Sequence, residues 1–166
     1  MLAYDPSTRA PLLIRGPQLP SGRRTRALVG NIDLAPTILD ATPATAPHAL
    51  DGGSILPFAR NPRRRSLRPL LHETVGNGAR GGANTREGKA RNEQPRVPAW
   101  RAVRTTRWLY VDYKELCDLK GDPAQLNSLA GDPRRRVRLR TLRRILGDLT
   151  RCAGRECQEG VGTAAR

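Results

Sequence analysis

Apolar positions in this chain come in short runs separated by long polar stretches. Leu12-Leu13-Ile14 is fully apolar and stops at Arg15-Gly16-Pro17, the pattern of a buried strand entering a turn. Ala27-Leu28-Val29 is a second such run, closed by Gly30-Asn31. Asp33 then stands as an N-cap, with Leu34, Ile38 and Leu39 on one face of a helix reaching about Ala41. Pro36 falls in the first turn of that helix, where a missing N–H costs little. Residues 42–53 read as a Pro/Ala/Thr loop, 54–59 as a single helical turn, 60–65 as a basic connector and 67–74 as another strand.

Residues 76–98 carry five glycines and almost no large apolar side chain, with no periodicity, and are expected to form a mobile loop. From Ala99 the pattern changes. "AWRAVRTTRWLYVDYKELCDL" alternates apolar and polar positions and is rich in Trp, Tyr and Val, which predicts two or three antiparallel strands. Their turns are expected at Thr105-Thr106 and, very tightly, near Tyr113-Lys114. Asp122-Pro123 and Asp132-Pro133 each place an N-cap before a proline at the first helical position. After the second, Leu139, Leu142, Ile145, Leu146 and Leu149 come at three- and four-residue steps. That stripe predicts an amphipathic helix lying on a sheet, with arginines on its outer face. The order of elements points to an α/β region followed by an α+β region.

The composition gives the core little to work with. Among 166 residues there are one Phe, one Met, two Trp and three Tyr, against 14 prolines and 16 glycines. The formal charge is +15, and of the 30 basic residues only Lys89, Lys114 and Lys120 are lysines. Guanidinium forks pair well with phosphate oxygens, and arginines scattered over loops and solvated faces account for the same charge. No run approaches the ~20 apolar residues that span a bilayer. Met1-Leu-Ala-Tyr-Asp-Pro has neither the basic start nor the apolar segment of a secretory signal, so the chain as written reads as cytoplasmic.

Candidate chemistry is sparse. His48 lies in a Pro/Ala loop and His72 inside "LRPLLHET", where a structural histidine is the ordinary reading. There is no HExxH, no CxxC pair, no carboxylate cluster at ligand spacing and no phosphate-binding loop at Gly52-Gly53 or Gly81-Gly82. Cys117 in "KELCDL" reads as a buried, inert thiol. Cys152 and Cys157 are close enough to form a disulfide that pins the end of the helix; reduced thiols in a cytosolic tail are the alternative, because the bridge needs an oxidising compartment.

Taken in order, several segments resemble the sulfatase family. "YDPSTRAPLLIRGP" is similar to the segment after the active-site lysine, which contacts the sulfate a few residues before the tyrosine. "LVGNIDLAPTILD" resembles the next signature, "LDGGSILP" the Asp-Gly-x-Ser-Leu-Leu-Pro turn, and "WRAVRTTRWLYVDY" the paired strands of the C-terminal subdomain. "ELCDLKGDPAQLNSLAGDP" is like the Glu-Leu-Tyr-Asp-Leu…Asp-Pro…Asn-Leu closing motif, with Cys117 where the family has tyrosine. "CAGRECQ" resembles the cysteine pair that ends many bacterial arylsulfatase-like chains.

The resemblance implies the C-terminal part of an alkaline-phosphatase-like α/β/α sandwich plus a small antiparallel subdomain packed by a terminal helix. It divides the chain into 1–75, the end of the large α/β domain; 76–98, a flexible loop; 99–151, the sheet-and-helix subdomain; and 152–166, a tail. In the family a divalent metal, usually calcium, and a formylglycine made from cysteine in Cys-x-Pro/Ala-x-Arg hydrolyse sulfate esters. None of the three cysteines here sits in that motif, so no catalytic residue, metal ligand or cofactor is carried over to this chain. The expectation is a C-terminal fragment, inactive alone, that meets a sulfate-ester substrate only when the N-terminal portion is supplied. Two other readings remain: a basic module binding nucleic acid or another polyanion, through runs such as Arg63–Arg65 and Arg134–Arg136, and a non-functional gene remnant. No membrane partner is expected, although the resembled family is often exported.

Overall fold

The structure, a computed structural model, describes residues 2–76 and 99–159. The glycine-rich stretch expected to be a mobile loop lies outside the described residues from 77 to 98, as does the tail from 160 onward.

The alternating pattern after Ala99 forms an antiparallel meander of three strands, β2 (Trp100–Arg104), β3 (Trp108–Val111) and β4 (Glu115–Asp118). A fourth strand, β1 (Leu70–Thr74), pairs with the outer edge of β2, so the sheet order is β1-β2-β3-β4. The turn after β2 closes with the Thr105 amide donating to the Trp108 carbonyl at 2.8 Å. The second turn is as tight as expected. Lys114 takes φ of 75°, the left-handed conformation a three-residue hairpin requires, and its amide donates to the Val111 carbonyl.

Because side chains alternate across a strand, the sheet has two apolar faces. Val103, Trp108, Tyr110 and Leu116 meet the long helix α4 (Arg136–Leu149), which contributes Leu142, Ile145, Leu146 and Leu149 and is followed by a short helix α5 (Arg155–Glu159). The leucine stripe read from the sequence is thus the stripe that is buried. Asp132 caps the start through its Oδ1, which accepts from the Arg134 amide at 2.9 Å, and a 3-10 turn over Pro133–Arg135 leads into α4. The opposite face of the sheet gathers Trp100, Ala102, Leu109, Val111 and Cys117, covered by Ala3 from the start of the chain. Both faces being covered, all four residues of β3 are buried.

The first half departs from expectation. Residues 12–14 and 27–29 form no strands, and Leu12, Leu13 and Ile14 are 47%, 96% and 39% exposed. A buried strand needs a neighbour for its amides, and among the described residues none runs beside these segments. The helix after Asp33 does form, as α2 (Leu34–Asp40), but Leu34 and Ile38 stay exposed for the same want of a covering layer. Asp33 makes no capping bond to α2; its carboxylate is used elsewhere. The single helical turn is α3 (Leu56–Arg60). No helix forms after Asp122-Pro123. Gln125 there takes φ of 58° and is buried, and Asp122 Oδ2 accepts from the Asn127 amide, which closes a turn instead.

Candidate functional site

Two polar junctions organise the described residues. The first is built by the opening turn α1 (Asp5–Thr8), where Pro6 sets the helical φ without sacrificing a needed amide. Ala3, 1% exposed, plugs into the apolar face of the sheet and so anchors Tyr4 and Asp5 beside it. The Tyr4 hydroxyl donates to both Glu115 oxygens, at 2.9 and 2.8 Å, and this bond to the carboxylate raises the phenol well above its usual range. Asp5 donates its amide to Gln125 Oε1 at 2.7 Å and ion-pairs with Arg104, Nη1 to Oδ1 at 3.2 Å.

His72 joins this junction through sheet register. It lies opposite Ala102, and Leu70 lies opposite Arg104, so His72 and Arg104 project from the same face. Burial lowers the His72 pKa, and the Arg104 charge lowers it further, with Asp5 opposing, so the imidazole is neutral near pH 7. Its Nδ1 is buried without a hydrogen-bond partner, as is Gln125 Nε2. The arrangement holds an arginine, paired with Asp5, beside a neutral imidazole. Among the described residues it has no nucleophile: Cys117, on the same face, has its thiol pushed up to about 11 by burial.

The second junction centres on Asp33, which is 1% exposed. Its Oδ2 accepts from the Gly30 amide at 2.8 Å, its Oδ1 accepts from the Gly53 amide at 2.9 Å, and Arg68 ion-pairs with Oδ1. Gly52 is required beside it, because a Cβ there would strike the Ile32 carbonyl. Thr37 Oγ1 accepts from the Ile55 amide at 2.9 Å, tying α2 to the start of α3. The tail closes over the same loop. A disulfide joins Cys152 and Cys157, with Cα atoms 5.2 Å apart. The Gly154 amide donates to Asp51 Oδ1 at 2.6 Å, and Gln158 Nε2 donates to the Leu50 and Gly52 carbonyls.

Of the residues singled out from the sequence, only His72 enters the first junction; His48 is exposed and stands apart. Cys117 is buried, as read. Gly81-Gly82 and Lys89 lie outside the described residues. The Tyr4–Glu115, Asp5–Arg104 and Asp33–Arg68 pairs were not anticipated; each spans at least 35 residues, and a sequence separation of that size carries no spacing signal. Among the described residues no group of three or more His, Cys, Asp or Glu side chains is placed to hold a metal. The chain's three cysteines lie outside any Cys-x-Pro/Ala-x-Arg motif. These residues do not fit the family's metal or its formylglycine, and no catalytic step is derived through either.

Comparison with known proteins gives a consistent result. The family model described as N-sulphoglucosamine sulphohydrolase, C-terminal, matches residues 1–73. Arylsulfatase K of Bos taurus is 28% identical over 142 residues, covering 78% of this chain and 24% of that protein. The bacterial character read from the tail motif has no support in this animal relative. Among solved structures, one determined in complex with its substrate D-glucosamine-2-N,6-O-disulfate superposes with a TM-score of 0.64 at 18% identity, over 86% of this chain and 27% of the other. A 2-O GAG sulfatase superposes with a TM-score of 0.58 at 22% identity, over 87% of this chain and 32% of the other. These structures share the fold. The chain spans about a quarter of the length of the curated relative.

Proposed function

Proceeding from a chain that corresponds in sequence and fold to the C-terminal portion of a sulfatase, we propose that it is the scaffold part of a sulfate-ester hydrolase. In this reading the metal and the formylglycine belong to segments outside these 166 residues, and this chain alone does not turn over substrate. The carrying observation is the first junction. The segment resembling the one after the sulfate-contacting lysine is clamped to the C-terminal sheet by Tyr4–Glu115 and Asp5–Arg104. A clamp of this kind holds a neighbouring catalytic group in place, and positioning of that order is worth large factors in rate.

The substrate class we assign is a sulfated sugar. The two structural neighbours support it, one bound to a sulfated glucosamine and the other named as a 2-O GAG sulfatase. In this reading the rest of the α/β layer covers Leu13, Leu34 and Ile38, which are exposed in this chain. The test is a protein in which this chain is joined to a sulfatase N-terminal portion carrying Cys-x-Pro-x-Arg. Sulfate release from a sulfated glucosamine is expected from the joined protein, and Arg104→Ala should lower kcat more than it changes KM. Unaltered kcat in that variant would remove the positioning role.

A further inference from the structure

The loop that follows β4 places its side chains against the usual preference. Its backbone is fixed to the strand: the Leu129 amide donates to the Leu116 carbonyl at 2.7 Å, and Ser128 Oγ accepts from the Leu116 amide at 3.2 Å. Within it Gln125 is 7% exposed, while its neighbour Leu126 is 80% exposed. Apolar burial alone would choose the reverse, so a buried glutamine beside an exposed leucine calls for a specific cause. Gln125 also takes the left-handed backbone conformation, which crowds the Cβ of any residue but glycine.

The turn itself does not supply that cause. Its bonds run from the Gln125 amide to the Asp122 carbonyl and from the Asn127 amide to Asp122 Oδ2, and none uses the Gln125 side chain. Glycine or asparagine at this position would serve them with less strain. Burial does not complete the carboxamide's own bonding either, because Nε2 has no partner. The bond that the side chain does make runs from the Asp5 amide to Oε1, at 2.7 Å and across 120 positions of the chain.

That bond differs in kind from its neighbours. Glu115 and Arg104 hold the side chains of Tyr4 and Asp5, which can swivel while the main chain shifts. Gln125 holds the main chain itself, two residues after Ala3 enters the apolar face beside Cys117. We propose that Gln125 is a positioning residue: it fixes the main chain at Asp5 to the loop after β4, sets the path of the opening segment, and keeps that segment closed over Cys117. Its bearing on catalysis rests on the scaffold reading above, in which this segment follows the sulfate-contacting lysine.

Cys117 supplies the reporter. With Cys152 and Cys157 joined it is the chain's free thiol, and it is 1% exposed, so labelling by a maleimide requires the opening segment to lift. Gln125→Asn keeps the left-handed backbone and the carboxamide but falls a methylene short of Asp5. Gln125→Gly keeps the backbone and removes the carboxamide. Both are expected to raise Asp5 amide exchange and Cys117 labelling at least about fivefold, the effect of one lost hydrogen bond. The unfolding constant in urea should change less than about twofold, because strain relieved in the loop offsets the lost bond in global unfolding. It offers no such offset when the segment lifts, since the loop then stays folded. Wild-type rates in Gln125→Asn would show that the residue only shapes its turn, and wild-type rates in Gln125→Gly contradict the proposal outright. Rates raised no more than the unfolding constant, or a variant that does not fold, would make Gln125 a stability residue and overturn the positioning role. Neither readout involves turnover. An inert joined protein with both rates raised counts against the scaffold reading alone, and unchanged rates count against Gln125 alone.

Discussion

With 1% of its surface exposed, Asp33 depends on the Gly30 and Gly53 amides and on Arg68 to compensate its buried charge. Arg68→Met removes the cation paired with it and is expected to cost about 3 kcal/mol in urea unfolding. His72 gives a pH prediction. Its folded pKa lies below the ordinary value, so the unfolded chain binds more protons as pH falls through about 6.5. Stability held above that pH is therefore lost toward the depressed folded value. The fall in Tm between pH 7.5 and pH 5.5 should shrink in His72→Gln, and an identical fall would remove His72 as the cause. At this scale the sequence was informative about Cys117, whose apolar surroundings were local. It made Asp33 the cap of α2, which the carboxylate is not, because what that carboxylate bonds to depends on a loop 20 residues away.

The elements divide by whether their partners are close along the chain. The stripe from Leu139 to Leu149 predicted α4 because its whole apolar face packs against a meander that precedes it directly. Leu142, fully buried, carries much of that contact, and Leu142→Ala should cost about 2–5 kcal/mol by thermal or urea melt. The strand expected at residues 12–14 failed for the opposite reason: a run of apolar residues specifies burial, but the layer that would bury it does not lie among the described residues. Likewise Asp122-Pro123 has the local form of a helix start, and the tertiary bond from the Asp5 amide to Gln125 overrides it. The end of α4 offers a redox test. Reducing the Cys152–Cys157 disulfide should lower stability by about 2 kcal/mol. Amide exchange should rise at Gly154 and Cys157 while the interior of α4 keeps its protection; protection unchanged at Gly154 would show that the bridge does not hold the tail on the Asp51 loop.

On the scale of the whole molecule, an apolar sandwich of sheet and helix adjoins a segment that leaves Leu13, Leu34 and Ile38 open to solvent. The two are tied together by Ala3 in the apolar face of the sheet, by the Tyr4–Glu115 and Asp5–Arg104 clamps and by the tail bonded to the Asp51 loop. That architecture supports the proposed reading, in which the chain positions chemistry held in another segment. The order of motifs carries the sulfatase likeness in the sequence itself, while the clamps join residues too far apart along the chain to leave a spacing signal. The most direct test is sulfate release by the purified 166-residue chain from an aryl sulfate and from a sulfated glucosamine, with and without calcium. No release above buffer is expected in any condition; calcium-dependent turnover by this chain alone would overturn the scaffold reading.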